Sequence, residues 1–304
     1  MSFRSKAVSI ALLVVLVTGL AAFVQAQQRG RQLTPEQIAE RQRQQAEALA
    51  AEMAEPRPID GIDSIWIEEL TWMEVRDAIK SGKTTAIVAT GGVEPNGPYL
   101  ATGKHNYVLQ GACEGIAREL GNALCAPIVK LVPEGDHEPP SGHMRYPGTI
   151  SLREETFEAV LEDVGTSLKV AGFENVVFIG DSGGNQRGME AAAAALNERW
   201  ADSGARAHFI PDYYTYDSVF EYMETELGIA EGESDGYHDD FVITSLMMIT
   251  DPQAVRYEQR VAADKATING LSIADLDATV ATGRKLMQFR VDKTVAAIRA
   301  SIGS

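Results

Sequence analysis

A chain of 304 residues with 45% hydrophobic content can bury one sizeable core, read here as a single large α/β domain. The formal net charge of −16 argues against nucleic acid or anionic lipid as a partner, because both are polyanions.

In chain order, Arg4 and Lys6 precede an apolar run from Ala7 to Val24, and Val24-Gln25-Ala26 forms a small-residue cleavage site. Residues 1–26 therefore read as a secretory signal peptide cut after Ala26, which places the mature protein in the periplasm or outside the cell. No other stretch is apolar enough to span a bilayer, so no stable membrane insertion is expected after cleavage. Residues 27–58 are rich in Gln, Ala, Glu and Arg and read as a polar leader or linker. Thr34-Pro35-Glu36-Gln37 offers a helix cap there. The folded domain is expected over residues 59–304.

Thr71 to Glu74 is a capping box, followed by a helix that stops at Gly82. Strands are predicted over residues 84–90, 124–132, 176–179 and 207–211. Helices are predicted over residues 104–120, 154–171, 188–201, 239–248 and 273–302. This alternation predicts a three-layer α/β fold with a mostly parallel sheet and helices on both faces. Cys113 and Cys125 fall on a predicted helix and the strand after it. They read as two buried structural thiols, although an exported address permits a disulfide. Trp66, Trp72 and Trp200 are expected in the core or at a subunit contact, and His208 is expected to be a buried structural residue.

The unusual polar residues gather in loops that follow predicted strands, where open α/β sheets place their chemistry. One runs from Gly92 to Asn106 and contains Glu94, Asn96, Tyr99 and His105. Another runs from Pro133 to Thr149 and contains His143 and Arg145. A third is the turn Gly180-Asp181-Ser182-Gly183-Gly184-Asn185, and downstream of it lies His238-Asp239-Asp240. The turn fits G-x-S-x-G between a strand and a helix, the pattern that presents a serine nucleophile in α/β hydrolases, and His238 follows it as a candidate base.

Taken together, the loops resemble the creatininase (creatinine amidohydrolase) family. Glu94 to His105 matches a motif of the type E-x-H-G-P-H-L-x-x-x-T-D, and His143 to Thr149 matches H-x-x-F-P-G-T. Gly180 to Asn185 matches N-G-H-G-G-N, and His238 to Ser245 matches H-A-G-E-x-E-T-S. The resemblance covers roughly Ile65 to Ile249.

It implies a metal-dependent amidohydrolase, a homo-oligomer, acting on a small-molecule amide or cyclic amide. One or two divalent ions per subunit (zinc or manganese, with iron a third choice) would be held at the strand ends. Several family ligands are replaced. Asn96 stands in place of a histidine, His105 in place of the bridging aspartate, Ser182 in place of a histidine, and Ile243 in place of a glutamate.

A remodelled ligand set of Glu94, His105, His238 and Asp240 offers the N and O donors that zinc or manganese accepts. His238, His143, Asp181 and Ser182 are the candidate catalytic residues, and Asn96, Tyr99, Arg145 and Asn185 the candidate substrate pocket. Two alternatives stay open: a serine hydrolase using Ser182 and His238 on the same fold, and a non-catalytic relative that binds a small ligand.

Overall fold

The computed structural model describes residues 34–303; the predicted signal peptide lies outside the described residues. The chain divides into two compact units at Pro58–Ile59. In the first, helix α1 (Pro35–Ala54) begins on the capping box at Thr34 and Gln37 and buries no residue. No described helix is long and apolar enough to cross a membrane.

The second unit opens with α2 (Trp72–Lys80), capped reciprocally by Thr71 and Glu74. Four parallel strands follow: β1 (Thr85–Thr90), β2 (Ala123–Cys125), β3 (Asn175–Gly180) and β4 (Arg206–Phe209), in the spatial order β2-β1-β3-β4. All six residues of β1 are buried, as a strand covered on both faces requires. β2 is shorter than predicted. Pro127 has no N–H to give the ladder, and the chain returns only at single bridges from Val129 to Thr90 and from Val132 to Ser151.

The helices between strands are α3 (Lys104–Leu120), α4 (Glu154–Ala171) and α5 (Gln186–Arg199). After β4 come α6 (Tyr216–Thr225), α7 (Phe241–Thr250), α8 (Tyr257–Ala262), a two-stranded hairpin of β5 (Thr267–Ile268) and β6 (Leu271–Ser272), and α9 (Leu276–Ile302). Helices α4 and α5 pack together against β3. Helix α3 packs with α7 and α9. Helix α7 is buried from Phe241 to Met248 and is apolar nearly all round because neighbours cover every side of it.

Two sequence expectations are corrected here. Cys113 and Cys125 form a disulfide: Cys113 lies on the buried face of α3, and the β2 position of Cys125 brings the Cα atoms to 6.3 Å, within bridging range. Of the three tryptophans, Trp200 is in the core and Trp66 is half-buried, but Trp72 stands exposed with the Arg76 guanidinium over its ring. His208 is buried as expected, between Asn175 and Ser301.

The strand order reverses direction at β1: the chain goes from β1 outward to β2, then returns to the other side of β1 as β3. The crevice at the carboxyl ends of β1 and β3 is where such sheets bind ligands. Residues Glu94 and Asp181 leave the sheet there.

Candidate active site

The loops after β1 and β3 are tied to each other before any chemistry is considered. Asp181 N–H donates to the Thr90 carbonyl at 3.0 Å. The Asn185 amide donates to the Thr90 carbonyl and hydroxyl and to the Gly91 carbonyl. Asn96 donates to the Glu94 carbonyl at 2.8 Å and to the Ala101 carbonyl, fixing the turn that carries Glu94. Gly97 has φ +60°, and a Cβ there would stand 2.6 Å from Asp239 Oδ2. Only glycine lets the first loop pass this close to the fourth.

Glu94, 1% exposed, is the hub. Its Oε1 meets Lys104 Nζ at 3.0 Å and His105 Nε2 at 3.0 Å, and faces His238 Nδ1 at 3.6 Å. Its Oε2 meets His143 Nδ1 at 2.7 Å. Burial alone would raise its pKa, but hydrogen bonds and charge from His105 and Lys104 outweigh that and hold it well below the usual carboxylate range.

His105 uses both ring nitrogens, Nε2 to Glu94 and Nδ1 to Asp181 Oδ2 at 2.7 Å. Burial pulls the imidazole down, yet the two carboxylates prevail and raise it above its ordinary value. Asp181, fully buried, is in turn held by Arg290 Nη2 at 2.6 Å and by the hydroxyls of Tyr213 and Tyr216. Its desolvation is overcome by Arg290 and His105, and its pKa falls. A continuous line of alternating charge therefore runs from Arg290 through Asp181 and His105 to Glu94.

Glu134 lies on the other side of His143, with Oε2 at 3.1 Å from Nδ1. Burial and the neighbouring Glu94 charge push its carboxyl up to about 8, so it is protonated at neutral pH. Its Oε1 is buried against Gly92, where a side chain would collide with it, and has no hydrogen-bond partner among the described residues. A cleft of about 490 Å³ opens here, lined among others by Glu134, His143, Glu154, Ser182, Gly184 and Arg187.

Glu94, His143 and His238 each offer a donor atom, and these atoms lie within 4.8 Å of one another. His143 Nδ1 lies 2.7 Å from Glu94 Oε2, a hydrogen-bond distance, and His238 Nδ1 lies 3.6 Å from Glu94 Oε1, so an ion would enter in exchange for the proton held between these groups. Two imidazoles and a carboxylate fit zinc, manganese or iron. Buried side-chain oxygens of Asn96, Glu134 and Asp239 in the surrounding loops have no hydrogen-bond partner among the described residues.

The sequence-derived set is only partly brought together. Glu94 and His238 join the donor group, and His143 joins it in place of His105, whose two nitrogens are spent on carboxylates. Asp240 accepts the Ile243 N–H at 2.6 Å as the cap of α7, and burial pushes it up to about 6. Ser182 sits in ordinary extended backbone, φ −113° and ψ 145°, and has no hydrogen bond to His238 among the described residues. It does line the cleft. Tyr99 lies under the Arg260 guanidinium, Arg145 is exposed, and Asn96 and Asn185 spend their amide hydrogens on backbone.

Lys104, Glu134, Arg290, Tyr213 and Tyr216 were not anticipated. Two had signals available: Lys104 stands at the threonine of the first motif, and Arg290 falls in the apolar seam Leu286, Met287, Val291, Val295 of α9.

The sequence profile described as "Creatininase: Creatinine amidohydrolase" matches residues 68–298. The chain belongs to the creatininase family. A solved structure titled "Creatininase Mn" superposes with a TM-score of 0.60 at 19% identity, over 78% of this chain and 98% of that one. A creatininase complexed with creatine gives 0.60 at 19% identity, over 80% and 100%. A Zn-Zn type creatininase gives 0.58 at 19%, over 79% and 98%. At these identities the likeness shows the shared fold.

Among curated relatives, the mycofactocin precursor peptide peptidase of Mycolicibacterium smegmatis is 27% identical over 131 residues, 41% of this chain and 50% of that protein. The 3-dehydro-scyllo-inosose hydrolase of Thermotoga maritima is 24% identical over 197 residues, 65% of this chain and 60% of that protein. The matches thus span half to three-fifths of those relatives' length.

Proposed function

We propose that this creatininase-family chain is a metal-dependent hydrolase that cleaves a C–N bond, amide or cyclic amide, of a small molecule. The observation that carries this is the convergence of Glu94, His143 and His238 at the sheet's switch point, beside a cleft. The Mn and Zn-Zn forms of the structurally similar creatininases favour manganese or zinc over iron. When bound, the ion supplies an activated water and polarises the scissile carbonyl.

The chain's own groups do the rest. His105, clamped by Asp181, fixes one oxygen of Glu94 so that the carboxylate presents a defined edge, the usual task of groups behind a ligand. Glu134, beside His143 and the cleft, is placed to exchange a proton with the departing nitrogen. Residues Gly183 and Gly184 leave the cleft wall below Ser182 without side chains, giving a substrate room to approach. The Ser182 geometry gives no support to a nucleophilic serine, since an activated one needs an adjacent base.

The same reading takes the mature protein as exported and homo-oligomeric. The Cys113–Cys125 disulfide supports an oxidising compartment; the oligomer rests on the family resemblance.

Metal analysis of the purified, dialysed protein tests the proposal. Bound zinc or manganese is expected, and Glu94→Gln, His143→Ala and His238→Ala should each shed it. On a panel of small amides, lactams, lactones and short peptides, turnover should vanish with chelator and survive Ser182→Ala. Full turnover by a metal-free preparation would overturn the reading.

A further inference from the structure

Lys104 is the residue that the metal reading does not absorb. It is the first residue of α3, where the helix dipole disfavours a positive charge, and it is nevertheless 4% exposed. A lysine is buried this deeply only when its ammonium is paired. Its Nζ lies 3.0 Å from Glu94 Oε1 and 3.5 Å from His238 Nε2, so it touches two of the three groups offered to an ion.

The hydrogen-bond chemistry makes the two cations competitors. An ammonium only donates, so His238 Nε2 must accept from it, and the neutral ring then carries its proton on Nδ1, the nitrogen facing Glu94. A metal taking Nε2 would displace Lys104 directly; a metal taking Nδ1 moves the proton to Nε2 and costs only the longer 3.5 Å contact, while the ammonium keeps its 3.0 Å pairing with Glu94. Nothing of this kind applies at His143, whose Nδ1 faces Glu94 Oε2 and Glu134, away from the oxygen that Lys104 occupies. Glu94 thus has one oxygen neutralised by the chain's own cations and one facing the cleft-side imidazole.

We propose that the Lys104 ammonium fills the place of a cation, a fixed internal charge where a two-ion site would hold a metal, so that the chain takes a single divalent ion. The inference rests on the metal reading above and deepens it. It also gives a reason for the exchange of the bridging aspartate position for His105: with one of the two ions replaced by an ammonium, no bridging carboxylate is required.

The experiment is zinc titration by calorimetry, with metal content after desalting, on the chelator-stripped full mature chain and on Lys104→Gln, Lys104→Thr and Lys104→Arg, folding being checked by circular dichroism. Wild type should take one zinc per chain. Lys104→Gln and Lys104→Thr should take a second, or bind the first at least ~10-fold more tightly once the repulsion is gone. Lys104→Arg should keep the wild-type stoichiometry.

Two zinc ions in wild type, or Gln and Thr variants that titrate like wild type, would overturn the proposal while leaving the hydrolase reading intact. No zinc in wild type but one in Lys104→Gln would overturn the single-ion proposal, Lys104 then excluding every metal, and the metal-dependent function with it. No zinc in any of them would overturn both.

Discussion

Replacing Arg290 with Met strikes the charge line at its buried end. The guanidinium is fully buried, 2.6 Å from Asp181 Oδ1, donates to the Tyr213 carbonyl at 3.1 Å, and lies 4.1 and 4.4 Å from the centroids of the Tyr213 and Tyr216 rings. Met fills much of the volume but strands the Asp181 carboxylate, which then keeps only His105 and two hydroxyls. Breaking a buried ion pair from one side costs about 3–5 kcal/mol. For a domain of this size that corresponds to a fall in thermal midpoint of roughly 6–20 °C. Urea unfolding followed by circular dichroism and by tryptophan fluorescence measures it. Asp181→Asn in the same background removes the stranded charge, so the double variant should be less destabilised than the two single losses added together. A loss below about 1 kcal/mol, or simple additivity of the two changes, would refute the argument that Arg290 holds Asp181, and through it His105, in place.

Two further outcomes follow from features away from the site. Cys113→Ser opens a disulfide that spans 12 positions, and loop-closure entropy sets the loss at about 3 kcal/mol; reduction of the wild type should give the same shift in urea midpoint, and equal midpoints with and without reductant would contradict it. His208 is held below its ordinary pKa, chiefly by burial, with Nε2–H donating to Asn175 Oδ1 and Nδ1 accepting the Ser301 hydroxyl hydrogen. The unfolded chain takes up this proton near pH 6.5 and the folded one only at lower pH, so stability is lost as pH falls below about 6.5 and is unaffected above it. His208→Gln should therefore gain on wild type between roughly pH 7.5 and 5; a pH-independent difference would show that the ring titrates alike in both states.

The elements that were legible in the sequence are those whose cause is local. Helix α3 begins and ends where the pattern of apolar residues and Gly121 place it, and Thr71 with Glu74 announces α2 through three residues. The buried parallel strands β1 and β3 are short β-branched runs that no other environment suits. Helix α6 and the β5–β6 hairpin were not anticipated, because α6 begins without a side-chain cap and the hairpin strands are two residues long. The disulfide could not be read, since whether two cysteines bond depends on the facing of α3 and β2, which are adjacent in sequence but fixed only by packing.

For the site, the motifs located Glu94, His105, His143, Asp181 and His238 and the sheet end that gathers them, because strand–loop–helix alternation and loop chemistry are written along the chain. They could not say which groups spend their lone pairs on one another. His105 is consumed between Glu94 and Asp181, Asp240 is consumed by a helix end, and the charges that set the centre come from Lys104, Glu134 and Arg290, the last contributed by a helix almost two hundred residues from Glu94. Sequence alone determined the family pattern, the parallel sheet and the rim where chemistry belongs; tertiary structure decided which groups keep donor atoms to offer, because an imidazole or carboxylate is free to bind only after every neighbour brought to it by folding has taken its share of hydrogen bonds and charge.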